Sequence, residues 1–162
     1  MGNHGPVAAA DEALSVWRAA RVAEGNTPDR DRIERVRVKL ADAEARLVVA
    51  ERDGRVVGVV LAEPFREDDG AGRRVSGRGH VTMVFVHPDF QGRGVGRELM
   101  ELAIAELPWP FLSLWTRDGN TRAQRLYAAV GFVPTMDSGR TPHGDRITRW
   151  QRGPAPEANH PT

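Results

Sequence analysis

The stretch that decides the fold is His80-Val81-Thr82-Met83-Val84-Phe85-Val86-His87-Pro88-Asp89-Phe90-Gln91-Gly92-Arg93-Gly94-Val95-Gly96-Arg97-Glu98-Leu99. Residues 81–86 are mostly β-branched or aromatic, which favours a strand, and Pro88 marks its end. Apolar residues then recur with helical spacing up to Pro108, at Val95, Leu99, Leu102, Ala103 and Leu107. The stretch therefore predicts a strand, a short loop and a helix.

Three glycines alternate in the loop between this strand and helix, at Gly92, Gly94 and Gly96. Because glycine has no Cβ, the backbone can approach a ligand closely and several amide N–H groups can turn toward one point. That point is the positive end of the helix dipole, which suits a phosphate group. We therefore interpret the loop as a phosphate-binding site.

Two arginines support this interpretation. Arg97 falls in the first turn of the predicted helix, where the dipole disfavours a cation unless an anion is bound. Arg93 adds a second positive group that can pair with phosphate oxygens. The alternative is a tight glycine turn beside two solvated arginines, and an isolated Gly-x-Gly-x-Gly pattern fits both interpretations.

Two motifs resemble those of a known family. The first is Val86-x-Pro88 followed by Gln91-x-x-Gly94-x-Gly96, which resembles the acyl-CoA-binding motif of the GCN5-related N-acetyltransferases. The second resembles the family's second signature helix and reads Asn120-x-x-Ala123-x-x-Leu126-Tyr127-x-x-x-Gly131-Phe132. A strand-like segment, Phe111 to Thr116, separates them. The resemblance covers roughly residues 47–150 in element order and is at motif level between residues 84 and 132.

The resemblance implies a mixed α/β fold. Its central sheet is mostly antiparallel, with a splay between the two middle strands, and about four helices flank it. It also implies a transferase that moves an acetyl group from acetyl-CoA to a primary amine by direct attack in a ternary complex, with no metal. The implied cofactor-binding residues are Val84, Phe85, Val86, Gln91, Gly92, Arg93, Gly94, Val95, Gly96, Arg97, Asn120 and Ala123.

Tyr127 is the expected general acid. A phenol has a pKa near 10, and the leaving thiol has a pKa near 8.5 if the cysteine value is taken for CoA. This difference in pKa is small enough for proton transfer. Its helical spacing from Ala123 also fits a core residue, and the family pattern favours the acid. Asn120 fits both a helix cap and a cofactor contact.

His80 is the candidate general base. An alkyl ammonium with a pKa near 10.4 must lose its proton before it attacks, and an imidazole suits that task. His80 lies eleven residues before Gln91, where some family members carry a glutamate base. Strand alternation places it on one face with Val84 and Val86. The alternatives are a solvated histidine at the start of a strand, or Glu63, His87 or a water relay as the base.

The composition indicates one domain and excludes several classes of function. The chain has 162 residues, with 23 Lys+Arg against 22 Asp+Glu and a net charge of +1, so its charge points to neither nucleic acid nor a membrane. Because there is no cysteine, disulfides and a thiol acyl-enzyme are excluded. No stretch resembles a signal peptide or a membrane span, so we expect a cytoplasmic protein.

The rest of the chain is expected to form one acyltransferase domain over residues 11–152, between a loose segment at 1–10 and a disordered tail at 153–162. Asp11 is the expected N-cap of a first helix, and Thr27-Pro28-Asp29 begins a second. The family's opening strand is not apparent, unless residues around Pro6 and Val7 form it. Strands are predicted at Arg46–Glu51, Val56–Glu63, Phe132–Thr135 and Arg146–Gln151, and Pro64–Gly79 is predicted to be a mobile connector.

Two rival functions remain. A dinucleotide-binding protein is disfavoured because the glycines do not have G-x-G-x-x-G spacing and Pro88 separates them from the strand. An acyl-CoA-binding module without turnover is disfavoured by the retained Tyr127. The acceptor, a small-molecule or peptide amine, and the oligomeric state, a homodimer included, cannot be read from the sequence.

Overall fold

The fold is taken from a computed structural model, which describes residues 6–153, with side chains from residue 9 onward except that of residue 69. The helices are α1 (Pro6–Ala23), α2 (Arg30–Leu40), α3 (Val95–Glu106) and α4 (Thr121–Ala129). The strands are β1 (Arg46–Arg52), β2 (Arg55–Arg66), β3 (Arg74–Val86), β4 (Phe111–Arg117), β5 (Val133–Arg140) and β6 (Arg146–Arg152). Within these residues, no helix is long and apolar enough to cross a membrane.

The six strands form one sheet in the order β1-β2-β3-β4-β6-β5. Among the pairs whose register is described, β1/β2, β4/β6 and β5/β6 are antiparallel, and β3/β4 is parallel. The parallel pairing runs from Arg78↔Phe111 to Val81↔Leu114, although both strands continue beyond it. The ladder thus ends before either strand does, as the expected splay requires. The predicted mixed α/β fold with a mostly antiparallel sheet is confirmed.

The chain divides into two compact units, one of Met1–Glu63 and Thr82–Leu107 and the other of Pro64–Val81 and Pro108–Thr162. The core of the first unit surrounds Trp17, whose side chain is only 2% exposed. Its cluster of buried side chains comprises Ala13, Leu14, Val16, Trp17, Leu40, Val56, Val59, Leu61 and Met83. The first two helices therefore bury their apolar faces against the strands of this unit.

Helix α3 belongs to the same unit. The face that it buries is the one predicted from the helical spacing of its apolar residues. Val95, Leu99, Met100 and Ala103 are all buried. The helix lies close to β2 at Gly58, where an added Cβ would be 3.2 Å from the side chains of both Val95 and Leu99. This close approach holds the first turn of α3, and with it the preceding loop, against the sheet.

The core of the second unit includes residues of β4, of α4 and of the turn that follows α4. Leu112, Leu114, Tyr127 and Phe132 are buried there. After α4 the chain reverses at Gly131, whose φ of +95° is a left-handed conformation that favours glycine. The Arg152 Nε donates a 2.9 Å hydrogen bond to the carbonyl of Val130, which satisfies this end of the helix.

The predicted connector at Pro64–Gly79 is wrong at both ends. Strand β2 continues to Arg66 and β3 already begins at Arg74. The remaining turn is closed by backbone hydrogen bonds from Glu67 N to Arg73 O (3.0 Å) and from Gly72 N to Glu67 O (2.8 Å). Pairing between neighbouring strands outweighs the low strand propensity of this arginine- and glycine-rich segment.

The N-terminal prediction also needs correction. Helix α1 begins at Pro6, so Asp11 lies inside the helix and is not its N-cap. Proline is well suited to a first helical turn, and the alanines at 8–10 have the highest helix propensity. Pro6 and Val7 are therefore helical, and no strand precedes α1 in the described part of the chain. Residues 1–5 of the expected loose segment, and the expected tail after Gly153, lie outside the described residues.

Replacing Gly79 by alanine tests the packing of β3 in the second unit. Gly79 pairs with Leu112, and an added Cβ would overlap the Trp109 ring, whose Cγ would be 3.0 Å away. We expect Gly79→Ala to lower the free energy of unfolding by about 1–3 kcal/mol because the indole must move. Urea unfolding should show a lower midpoint at an unchanged slope. The control is Gly119→Ala, which meets no atom within 4 Å. Equal midpoints for both variants would contradict this packing.

Candidate functional site

The glycine loop lies in the first unit, between the end of β3 and the start of α3. A short 3-10 turn at Pro88–Phe90 leads into it, and residues 91–94 are exposed. Gly92 and Gly94 have φ angles of +75° and +78°, and a Cβ at either position would meet nothing within 4 Å. These two glycines are therefore required by the left-handed path of the backbone. That path leaves open space above the loop.

The N-terminus of α3 offers a set of backbone donors. The first hydrogen bond of the helix runs from Glu98 N to Gly94 O (3.1 Å), so the N–H groups of Val95, Gly96 and Arg97 have no acceptor within the helix. Gly94, as the N-cap, has no side chain to accept from them. These amides carry the positive end of the dipole of a 12-residue helix and can bind an anionic group.

Three of the predicted side chains around the loop have partners in the structure. The Gln91 side-chain amide donates to the carbonyl of Val86 (3.3 Å), so it braces the loop against the end of β3. The Arg93 guanidinium lies 5.6 Å from the centroid of the Phe90 ring. Arg97 pairs with Glu101 at 3.1 Å. This pair offsets the unfavourable position of Arg97. It is exposed and contributes little, so the guanidinium can exchange partners.

A second ion pair at the start of α3 could not be foreseen from the sequence. Arg52, at the end of β1, makes two hydrogen bonds to the carboxylate of Glu98, one from Nη1 to Oε1 at 3.4 Å. These bonds raise the pKa of Arg52 above its usual value. Glu98 lies in the first turn of α3, so Arg52 offsets a negative charge next to the helix N-terminus. The two residues are 46 positions apart in the chain, and no local pattern links them.

The three predicted cofactor residues at the end of β3 lie on opposite faces of the strand. Phe85 packs against the core cluster of the first unit, and the Arg21 guanidinium lies 5.5 Å from its ring centroid. Its side chain is therefore part of the core, and a ligand would meet this residue only through its backbone. By strand alternation Val84 and Val86 lie on the opposite face, and both are partly exposed.

His80 lies in the second unit, within β3 and not at the start of a strand in solvent. Its Nδ1 is 2.8 Å from the hydroxyl oxygen of Ser113 on β4. Its ring makes an edge contact with Phe65, with the ring centroids 6.3 Å apart. The histidine is half-buried, and Ser113 is 8% exposed. Sequence reasoning missed Ser113, because only the register of the parallel ladder places it beside His80.

His87, an alternative base, is arranged differently. Its Nδ1 accepts a 3.1 Å hydrogen bond from the backbone N–H of Asp89, whose carboxylate is too distant at 3.8 Å to compete. In the neutral ring the proton must then be on Nε2. Neither nitrogen retains a free lone pair for a substrate proton. This arrangement makes His87 the cap of the 3-10 turn and disfavours it as a base.

Helix α4 carries the other predicted residues of the second unit. Asn120 Oδ1 accepts a 3.1 Å hydrogen bond from Ala123 N, which confirms the predicted cap. Tyr127 is 9% exposed, with its ring centroid 6.0 Å from that of Phe132. Burial raises the pKa of Tyr127 to about 12. The phenol is thus a weaker acid than the sequence suggests, about 3.5 pKa units or ~5 kcal/mol above a thiol of cysteine type.

Among the described residues, no group of three or more His, Asp or Glu side chains is placed to hold a metal ion. The chemical groups that the structure offers are instead backbone amides, arginines, one imidazole and one phenol. These groups can bind an anionic ligand and exchange protons.

A pH titration tests the environment of Tyr127, which is the one tyrosine in the sequence. Its near-ultraviolet tyrosinate absorbance should appear with a midpoint near pH 12 rather than 10. Because the pKa is raised in the folded state, its contribution to stability is complete below pH 10 and is lost as the pH rises to 12, about 3 kcal/mol in all. A midpoint near 10 in protein that is still folded would refute the burial.

Comparison with known proteins identifies the family to which this chain is similar. The family model described as "Acetyltransferase (GNAT) family" matches residues 11–132. The phosphinothricin N-acetyltransferase of Alcaligenes faecalis is 36% identical over 99 residues, 59% of this chain and 48% of that protein. The mycothiol acetyltransferase of Propionibacterium freudenreichii subsp. shermanii is 32% identical over 139 residues, 82% of this chain and 43% of that protein. The chain thus spans about half the length, or less, of these curated relatives.

Solved structures of acetyltransferases have a similar fold. The crystal structure of the ribosomal-protein-S18-alanine N-acetyltransferase from Escherichia coli matches with a TM-score of 0.69 at 19% identity, over 93% of this chain and 92% of that one. At this identity the likeness concerns the fold alone. The match of the family model over most of the chain, together with the glycine loop at the start of α3, shows that the protein belongs to the GNAT family of acetyltransferases.

Proposed function

We propose that this protein is an N-acetyltransferase that moves an acetyl group from acetyl-CoA to a primary amine. The observation that carries the proposal is the exposed loop at residues 91–94, which opens into the uncapped amides of α3 in a chain of the GNAT family. The relatives are named for different acceptors, so we define the acceptor only as a small-molecule or peptide amine. We propose direct attack of the amine on the thioester, and a thiol acyl-enzyme is excluded because the sequence has no cysteine.

The loop is proposed to bind the pyrophosphate of CoA. The N–H groups of Val95, Gly96 and Arg97 donate to its oxygens, and the guanidiniums of Arg93 and Arg97 pair with its charge. Gln91 holds the loop through Val86 O, and Arg52 keeps Glu98 neutralised beside the anion. Asn120 and Ala123 are further proposed cofactor-binding residues on the family resemblance alone, and the Asn120 Oδ1 already accepts from Ala123 N as the helix cap.

The carbonyl oxygen of the acyl group needs hydrogen-bond donors, because negative charge develops on it as the amine attacks. We assign this role to backbone N–H near Val86, with the backbone of Val84 and Phe85 beside the pantetheine arm. The assignment rests on the family resemblance and on strand alternation, which directs the Val84 and Val86 side chains away from the core. Preorganised backbone donors of this kind typically contribute a few kcal/mol.

Tyr127 is proposed to assist the departure of the thiolate. With a pKa of about 12 it stays neutral throughout the working range and donates a hydrogen bond to sulfur. Complete proton transfer from this phenol is uphill, so the proton that finally converts the thiolate to a thiol comes from the amine by way of solvent. The phenol therefore acts mainly as a donor that lowers the barrier to C–S cleavage.

His80 is proposed to accept the proton of the amine. The ring is half-buried and contacts Ser113 and Phe65, and an imidazole nitrogen is a suitable acceptor for the proton of an amine. As the C–N bond forms and the C–S bond breaks, the amine proton moves to the imidazole and then to water. His87 is a poorer candidate because its Nδ1 is committed to Asp89 N.

Calorimetric titration tests the donor side of the proposal. We expect acetyl-CoA and CoA to bind and NADH not to bind. Arg93→Ala and Arg97→Ala should each weaken CoA binding about three- to tenfold and make it less sensitive to salt, because each removes one cation from the pyrophosphate. Arg35→Ala, at an exposed arginine on α2, is the control and should bind as the wild type does. Binding of NADH alone would overturn the proposal.

Turnover by Tyr127→Phe tests the chemical step. Phenylalanine keeps the packing against Phe132 but removes the hydroxyl, so we expect kcat to fall about 100-fold while the Kd for CoA changes less than twofold. Release of CoA thiol with a panel of amines gives the rates. Wild-type rates in the variant would remove Tyr127 from the mechanism. A wild-type protein that binds acetyl-CoA but releases no thiol with any amine would instead be a binding module.

A further inference from the structure

We propose that Arg52 is a positioning residue for the cofactor, which neutralises Glu98 at the start of α3 and so sets how tightly the loop at residues 91–94 holds an anion. The inference rests on the proposed function for the identity of that anion, the pyrophosphate of CoA. The ion pair itself is a feature of the structure, and the loop, α3 and both paired residues all belong to the first unit.

Glu98 places a negative charge beside the proposed anion site. It directly follows the three residues whose amides have no helical acceptor, and its own N–H makes the first helical bond, to Gly94 O at 3.1 Å. Side chains of a helix lean toward its N-terminus, so the carboxylate is directed toward the turn that carries these amides. An acid in this turn stabilises the helix itself through the dipole, but it repels a bound anion. Without compensation, Glu98 would therefore weaken the binding of pyrophosphate.

The Arg52 guanidinium compensates this charge through a bidentate contact. Its Nη1 donates to Glu98 Oε1 at 3.4 Å, and its Nη2 donates to Glu98 Oε2. The Nη1 also donates to the carbonyl of Glu51 at 2.8 Å, which holds the guanidinium in place. Among the described residues, Arg52 is the cationic side chain that the structure places on Glu98. Removal of the guanidinium would thus leave the carboxylate charged and without a counter-ion.

The hairpin of β1 and β2 fixes Arg52 relative to the loop. Arg52 precedes a two-residue turn formed by Asp53 and Gly54, whose φ angles are +53° and +77°. A turn with two positive φ angles matches the twist of the flanking strands and holds them in one register. The hairpin is also joined to the start of the loop, because Val57 O accepts a 2.8 Å hydrogen bond from His87 N. The ion pair is therefore in place before any ligand binds, and a ligand does not need to order it.

The affinity of the loop for an anion should then follow the net charge of the two side chains. The wild-type pair is neutral overall, Arg52→Gln leaves one negative charge, and Glu98→Gln leaves one positive charge. The double variant is neutral again. Because the Arg52 and Glu98 side chains are 36% and 45% exposed, the pair adds little to folding stability and all four proteins should fold.

Calorimetric titration of CoA into these four proteins tests the inference. We expect Arg52→Gln to raise the Kd for CoA about three- to tenfold, Glu98→Gln to lower it about two- to fivefold, and the double variant to lie within about twofold of the wild type. The differences should shrink at high salt, which screens partly exposed charges. The matched controls are Arg37→Gln and Glu34→Gln, which remove the two charges of an exposed ion pair on α2 and should leave the Kd unchanged.

Two patterns of affinity would overturn the inference. Equal weakening in both single variants would mean that the pair only holds the helix in place, and a double variant as weak as Arg52→Gln would mean that Arg52 contacts the anion directly. Inorganic pyrophosphate, titrated with the backbone amide NMR signals of residues 92–97 as the readout, repeats the comparison without CoA. A wild type that binds pyrophosphate but not CoA would refute the proposed function alone, since the variants must still rank in the same order with pyrophosphate. A wild type that binds neither would refute both.

Discussion

The short parallel ladder between β3 and β4 is the constraint on which the arrangement of candidate groups depends. Its four pairs, from Arg78↔Phe111 to Val81↔Leu114, set which residue of β3 faces which residue of β4. A shift by one position would turn His80 to the other face of the sheet, because side chains alternate along a strand. Trp109, packed where Gly79 has no Cβ, occupies the position beside this ladder and opposes such a shift.

The loop before α3 offers a ligand backbone groups more than side chains. Gly92 and Gly94 take left-handed conformations, and the first turn of α3 is left without a side-chain cap. Three amide donors therefore remain for a ligand, in a geometry fixed by the helix. The side chains around them already have partners: Gln91 on Val86 O, Arg97 on Glu101 and Arg52 on Glu98. These contacts keep the loop ordered, and the exposed one between Arg97 and Glu101 can exchange for a ligand at little cost.

The two proton-handling candidates sit in contrasting surroundings. Tyr127 is buried in an apolar layer with Phe132, and burial raises its pKa to about 12, so it is a stable neutral donor rather than a proton source. His80 has a polar neighbour in Ser113 and keeps part of its surface exposed. In the proposed mechanism Tyr127 would donate a hydrogen bond to the leaving sulfur and His80 would accept the amine proton, so the two roles would belong to different residues.

Sequence patterns predict the family, the glycine loop, the helices around Leu99 and Tyr127 and the Asn120 cap, because these depend on local conformation and on spacings within one element. They misplaced the start of α1 and the connector at 64–79, where helix propensity of the alanines and pairing of β2 with β3 outweighed the local turn and charge signals. Only the tertiary structure decided that Ser113 meets His80, that Glu98 meets Arg52 and that Tyr127 is a weakened acid. These are contacts between residues distant in the chain, set by strand register and burial, which no local spacing encodes.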